Sequence, residues 1–182
     1  MNRLMASLAA LAAAIVSIAL LATPSYAAAP LAGTAHAFFE RPNPFDLSGC
    51  TVLKLDLLVT TTVASADYWS TNTCFNFDSS HLTGSTSVAS GQVSLGSLNS
   101  ASVTNVVIAA TAGGYFQQFT FNLMWTRDGK VSVSPPINGN GQVRAQAPAS
   151  VTGLIVDLGG NNLFSGSDVS DADIALVLHT LV

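Results

Sequence analysis

The sequence predicts an all-β chain, an antiparallel β-sandwich of jelly-roll or immunoglobulin-like style, with one disulfide and room for a short C-terminal helix. Three observations lead there. Beyond the first residues, apolar side chains alternate with polar ones instead of recurring at helical spacing. Gly-, Asn- and Asp-rich turn segments break the chain at short intervals, as in sandwiches. Two cysteines, Cys50 and Cys74, form an even pair with no CxxC or Cys/His cluster beside them, so a disulfide is expected.

The N-terminal segment sets the compartment. Met1-Asn2-Arg3 carries one positive charge, residues 4–22 are apolar apart from Ser7 and Ser17, and Pro24 stops the run. Ser25-Tyr26-Ala27 then offers small residues at the −3 and −1 positions of a cleavage site. Residues 1–27 are therefore expected to be a signal peptide and 28–182 a single β-sandwich domain, secreted, periplasmic or at the cell surface. An uncleaved anchor is the alternative, since the run is long enough to span a bilayer, but Pro24 and the small residues oppose it. No cysteine follows the run to accept a lipid.

Residues 50–63 read as one long half-buried strand. Leu53, Leu55, Leu57, Val59 and Val63 share one parity, and Lys54, Asp56, Thr60 and Thr62 the other. Cys50 and Cys74 fall out of phase with their apolar neighbours, so the disulfide is expected to join strand ends on the less buried face, or to lie at a sheet edge. Weaker, Ser-rich strands are expected at 86–88 and 92–95. Residues 103–135 read as a three-stranded meander. A two-residue turn at Gly113-Gly114 pairs Ile108 with Phe119 and Val106 with Phe121, keeping the apolar faces together. A three-residue turn, Arg127-Asp128-Gly129 with Gly129 left-handed, then pairs Trp125 with Val131 and Leu123 with Val133. On that reading Gly129→Val is damaging, because a β-branched residue resists positive φ. Residues 151–158 read as a buried strand. Residues 173–182 are apolar on both parities. Ser170 followed by Asp173 resembles a helix N-cap, whereas Val177, Thr180 and Val182 favour a strand.

Charge excludes several functions. Only 9% of residues are charged, against about 25% in ordinary domains. Beyond the leader, Arg41, Lys54, Arg127, Lys130 and Arg144 face ten acidic residues. No basic stripe exists for nucleic acid or for anionic lipid. The Ser/Thr/Asn-rich skin and low charge instead permit self-association, and exposed strand edges add a neighbour's strand readily.

Candidate chemistry is sparse. The histidines are His36, His81 and His179, and neither a G-x-S-x-G elbow nor an H-E-x-x-H pair is present. No catalytic residue is assigned, and the chain is read as a non-enzyme with no required cofactor. Asp168, Asp171 and Asp173, with Asn161 and Asn162 upstream, form the one candidate calcium cluster, although the EF-hand spacing is missing. Tyr68 and Trp69 are the candidate ligand-binding pair: adjacent strand residues face opposite ways, so one ring can stack on a sugar. Trp125 has core parity. Phe38-Phe39 and Phe45 are expected to plug a sheet edge.

The leader, the single Cys50/Cys74 pair and the run Thr83-Gly84-Ser85-Thr86-Ser87-Val88 together resemble small secreted bacterial Ser/Thr-rich β proteins of the alkane-oxidation-activator type, some of them associated with biofilm. The resemblance transfers no functional residue. The function expected is that of a non-catalytic exported protein of the cell surface or extracellular matrix, acting by adhesion, self-assembly or contact with a hydrophobic surface. Its partners are then its own copies or matrix components, with no nucleic acid and no stable membrane insertion after cleavage. A carbohydrate- or small-ligand-binding module is the alternative, and a secreted hydrolase the third reading.

Overall fold

Alternating apolar and polar residues need a sheet with one face away from water. The computed structural model, which describes residues 32–134 and 142–179, supplies it as one antiparallel sheet of 12 strands. These are β1 (Ala32–Pro42), β2 (Thr51–Thr60), β3 (Val63–Asn72), β4 (Phe77–Asp78), β5 (Leu82–Ser87) and β6 (Val93–Ser94). They continue with β7 (Ser100–Ala112), β8 (Tyr115–Arg127), β9 (Ser132–Val133), β10 (Gln142–Asp157), β11 (Asn162–Ser165) and β12 (Val169–His179). Residues 1–31, which include the expected signal peptide 1–27, lie outside the described residues, as do 135–141 and 180–182.

Eight strands close a ring. β1, β2, β3, β5, β7, β8, β10 and β12 pair in that order, and β12 returns to β1. Each ring strand neighbours the next along the chain, so the connection is up-and-down, without Greek-key crossings. The architecture is all-β, antiparallel and sandwich-like, and its two layers are one sheet closed on itself. Apart from the β5–β7 seam, held by the single ladder pair Thr83 with Thr111, closure leaves the short margins formed by β4, β6, β9 and β11 among the described residues. The long open edge that invites strand addition is absent from this part of the chain.

The expected parities fill the interior. Leu53, Leu55, Leu57 and Val59 of β2 are buried, as are Phe119, Phe121, Leu123 and Trp125 of β8. Trp125 is completely buried, and its indole Nε1–H donates 2.8 Å to the His36 carbonyl of β1, so its polar atom is satisfied inside the core. Tyr68, Phe119, Phe121, Phe39 and Phe164 fill one end of the interior with tilted ring contacts. Leu95, from the segment before β7, is buried against Gly33 of β1, where a side chain would collide with it.

The first half of the meander has the expected register: Ile108 faces Phe119 and Val106 faces Phe121 across the Gly113-Gly114 turn. Both glycines have positive φ (55° and 88°), the mirror-image turn that matches strand twist. A bulge between Val103 and Val106, with Asn105 at φ 52°, keeps both valines on the buried face.

The second half differs. The three-residue turn at Arg127-Asp128-Gly129 does not form a hairpin. Trp125 pairs with Val151 and Leu123 with Gly153 of β10, while β9 pairs further along the same edge of β10, Val133 facing Ala145. β8 and β9 are thus two parts of one line, and Asp128 to Val131 bulge out between them. The cause lies in β10. Pro148 sits opposite the bulge, has no N–H to give, and offers only its carbonyl, which accepts the Asp128 N–H at 3.1 Å. Val131 and Val133 are exposed accordingly. Gly129 is not left-handed; it packs on the Pro148 ring, whose Cδ would lie 3.2 Å from an added Cβ.

Two further expectations are corrected, and the choice left open at the C-terminus is decided. The strand begun at Cys50 stops at Thr60, and Val63 opens β3 and is exposed, because Thr61-Thr62 makes the turn. Residues 151–158 are only half-buried: Val151 and Ile155 face inward, while Leu154 and Leu158 are exposed. The C-terminal stretch is strand, not helix, as far as His179. Ala172, Ile174 and Leu176 share the buried parity, and Ala175, on the other parity, is buried beside Thr34, Leu58 and Arg144. The helical turn lies earlier, at Gly166–Asp168, where Asp168 accepts the Ser165 N–H at 2.7 Å.

Candidate functional site

The ring is up-and-down, so its loops gather at two ends. The end holding the β1–β2, β3–β5, β7–β8 and β10–β11 connections is unlike the rest of the surface. Phe45 is 89% exposed, Phe75 79% and Tyr115 72%, and Leu47, Phe77, Phe116 and Leu158 are also more than half exposed. Elsewhere among the described residues, Val133 alone of the large apolar side chains is exposed to that degree. Scattered apolar side chains on a surface are ordinary; gathering them at one end marks a contact surface.

Local hydrogen bonding keeps these side chains out of the core. In the β1–β2 loop the Asn43 carboxamide oxygen accepts the Phe45 N–H at 3.0 Å. Asp46 accepts from the Ser48 N–H at 2.9 Å, the Ser48 hydroxyl at 2.6 Å and the Thr51 N–H at 2.7 Å. Beyond β3, the Asn72 carboxamide oxygen accepts the N–H groups of Cys74 and Phe75, both at 3.1 Å. Asn76 takes the left-handed conformation (φ 53°), which asparagine tolerates, and turns the chain between Phe75 and Phe77. The Cys50–Cys74 disulfide, with Cα atoms 5.4 Å apart, ties the two loops together. It sits at the strand ends, where its out-of-phase parity put it. It is compatible with an extracellular or periplasmic protein.

Two predictions arise here. Replacing both cysteines by serine releases a 24-residue separation and should lower the unfolding free energy by about 3 kcal/mol, read by urea denaturation. The hydrogen bonds from Ser48, then Thr51, hold the Asp46 carboxyl down at about 2. A depressed folded value means that the stabilisation is present above the unfolded carboxylate pKa, about 3.9, and is lost as pH falls through the folded one. Acidification across that window should lower the protection of the Ser48 and Thr51 amides relative to their intrinsic exchange rates, and Asp46→Asn should remove that pH-dependent loss of protection.

Tyr68 and Trp69 are split by the sheet. Tyr68 points inward against Phe119 and Phe164, and burial raises its phenol pKa. It also lines a groove with Ser79, Ser80, Leu82, Tyr115, Phe116 and Gln117 at the apolar end. Trp69 lies on the outer face between Phe38 and His81, stacked at centroid distances of 5.7 and 4.5 Å. Those neighbours occupy the faces a sugar ring needs. Phe39 is core, whereas Phe38 belongs to this outer stack and Phe45 plugs nothing.

The outer face also carries two Asp–His pairs that were not legible in the sequence. His36 Nε2 is 2.9 Å from Asp56, and its Nδ1 is 3.8 Å from Asp173. His81 Nδ1 is 2.8 Å from Asp67. Asp56 and Asp67 are directly opposite across β2 and β3. Like charges so placed repel, and each carboxylate is hydrogen-bonded to its own histidine ring. Among the described residues, no serine or cysteine side chain is hydrogen-bonded to either ring.

The three aspartates of the candidate calcium cluster are not brought together. Asp168 is turned onto Ser165, Asp171 lies in a shallow groove with Asp128 and Ser150, and Asp173 faces His36. Among the described residues no three His, Cys, Asp or Glu side chains converge to hold a metal ion. Nor is any helix there long and apolar enough to cross a membrane.

Fold and surface together define a closed antiparallel β protein with a mixed polar and apolar outer face and one end where the most exposed apolar side chains gather. Comparisons with protein-family models, curated proteins and solved structures return no match.

Proposed function

We propose that this is an exported, non-catalytic contact protein of the cell surface or extracellular matrix, and that it works by presenting its apolar end to a hydrophobic surface. The observation that carries the reading is the gathering of exposed Phe, Tyr and Leu side chains on the loops of one end, held out by the disulfide and by Asn and Asp side chains. Water disfavours this arrangement, and contact with an apolar phase removes the penalty. The leader-like segment and the weakly charged skin support export and adhesion. Purified protein at micromolar concentration should deplete from water onto hexadecane droplets. Phe45→Ser/Phe75→Ser should stay in the water, and Val133→Ser, at another part of the surface, should behave like the parent. A parent protein that stays dissolved and strictly monomeric in light scattering would contradict the reading.

A second reading is favoured by the groove of Tyr68, Tyr115, Phe116, Ser79, Ser80 and Gln117, which combines ring faces with hydroxyl and amide groups, the mixture a sugar requires. Titration calorimetry across a glycan panel tests it. Binding that disappears in Tyr115→Ala favours a ligand-binding module over a contact protein.

A further inference from the structure

We propose that the apolar end docks on an uncharged lipid surface, a membrane face of zwitterionic headgroups into which the loop tips insert while the barrel stays outside. This rests on the contact reading above and names its partner.

Charge selects the surface. The connecting loops 43–50, 73–81, 113–114 and 158–161 contain no Lys or Arg and carry Asp46 and Asp78, with Asp157 at their border. The nearest cations are already engaged: Arg41 donates 2.8 Å to the Leu163 carbonyl, and Lys54 lies 3.2 Å from Glu40. Anionic membranes are bound through free basic side chains, and this end has carboxylates in their place. It is suited to a surface without net charge.

Shape and chemistry select a fluid partner. Phe45, Leu47, Phe75, Phe77 and the Tyr115-Phe116 pair project from three separate loops, each more than half exposed. A protein partner would need a matching pocket for each projection, whereas a lipid interface receives each independently. Phenyl and phenol rings suit the boundary between headgroups and hydrocarbon. The loops are pre-ordered by the disulfide and the Asn43, Asp46 and Asn72 hydrogen bonds, so little chain entropy is lost on insertion.

The outer face limits the depth. The outward face of the central strands is mixed: His36, Asp56, Asp67 and Asp173 interrupt the part-exposed Leu58, Val107, Met124 and Leu154, so the described residues form no continuous apolar band. A barrel that spans a bilayer carries an apolar outward band at that level. Contact is therefore confined to the end.

The test is flotation of residues 28–182, oxidised, with vesicles of phosphatidylcholine alone and of phosphatidylcholine mixed with phosphatidylglycerol. The protein should float with the first and less with the second. Phe45→Ser/Leu47→Ser and, separately, Phe75→Ser/Phe77→Ser should each weaken flotation about tenfold or more, while Val133→Ser leaves it unchanged. Circular dichroism and an intact disulfide verify the fold of each variant. Failure to float while hexadecane adsorption persists overturns the lipid assignment and spares the contact reading; failure in both removes both. Stronger flotation with phosphatidylglycerol overturns the proposal. So does a parent dimer, broken by the serine variants, that ignores vesicles, because the occupant is then a second copy.

Discussion

Trp125→Ala should lower the unfolding free energy by about 4 kcal/mol, the middle of the range for a buried aromatic. The indole is completely buried, and its Nε1–H reaches the His36 carbonyl of a strand that is not a neighbour of its own. Truncation empties the core between those strands and leaves that carbonyl without its donor. Trp125→Phe separates the two effects. It keeps most of the apolar volume, loses the donor, and should cost about 1–3 kcal/mol. Urea denaturation reads both values. If Trp125→Ala lay within about 0.5 kcal/mol of the parent, the surface range, the indole would not be a core residue.

Gly84→Ala should cost about 2–3 kcal/mol, although it adds a single methyl group. Gly84 lies where β5 passes β7, and an added Cβ would stand 2.7 Å from the Ala109 carbonyl carbon and 2.9 Å from the Ala110 Cα. Both are backbone atoms and cannot rotate away. The seam is also the thinnest in the ring, with one ladder pair, Thr83 with Thr111. The substitution should therefore open the ring there, with faster amide exchange in β5 than in β2. Uniform exchange across the two strands would mean that closure does not depend on this glycine.

The residues that were legible and those that were not separate along physical lines. Parity placed Leu53, Leu55, Leu57, Val59 and Trp125 correctly, because burial on one face of a strand is a local pattern. The Gly113-Gly114 turn set its register because turn chemistry and apolar facing agree there. At Asp128-Gly129 the same turn chemistry misled. The deciding group is the missing N–H of Pro148, in a strand distant in sequence, and alternation alone never says which strand is the partner. The C-terminal stretch was ambiguous because Ala175, Val177 and Leu178 put apolar residues on both parities, and Ala175 is covered on the outer face as well. The Cys50–Cys74 bond was legible from composition. The apolar end was not, since Phe45 and Phe75 run against the expectation that such residues turn inward. A signal was present: Asn-Pro-Phe-Asp-Leu-Ser-Gly and Phe-Asn-Phe-Asp set large apolar residues among turn formers next to the two cysteines. The His36, Asp56 and Asp67 arrangement needs three strands in register and has no sequence signature.

The working surface is most directly tested by hydrogen exchange on the protein free and adsorbed to an apolar–water interface. Amides of residues 43–50, 73–77 and 113–116 should slow on adsorption, while those of Thr61, Thr62, Val93 and Ser94 at the opposite end keep their rates. Protection confined to that opposite end or to the outer face of β2 and β3, or no protection at all, would contradict the assignment of the apolar end as the part of the molecule that makes contact.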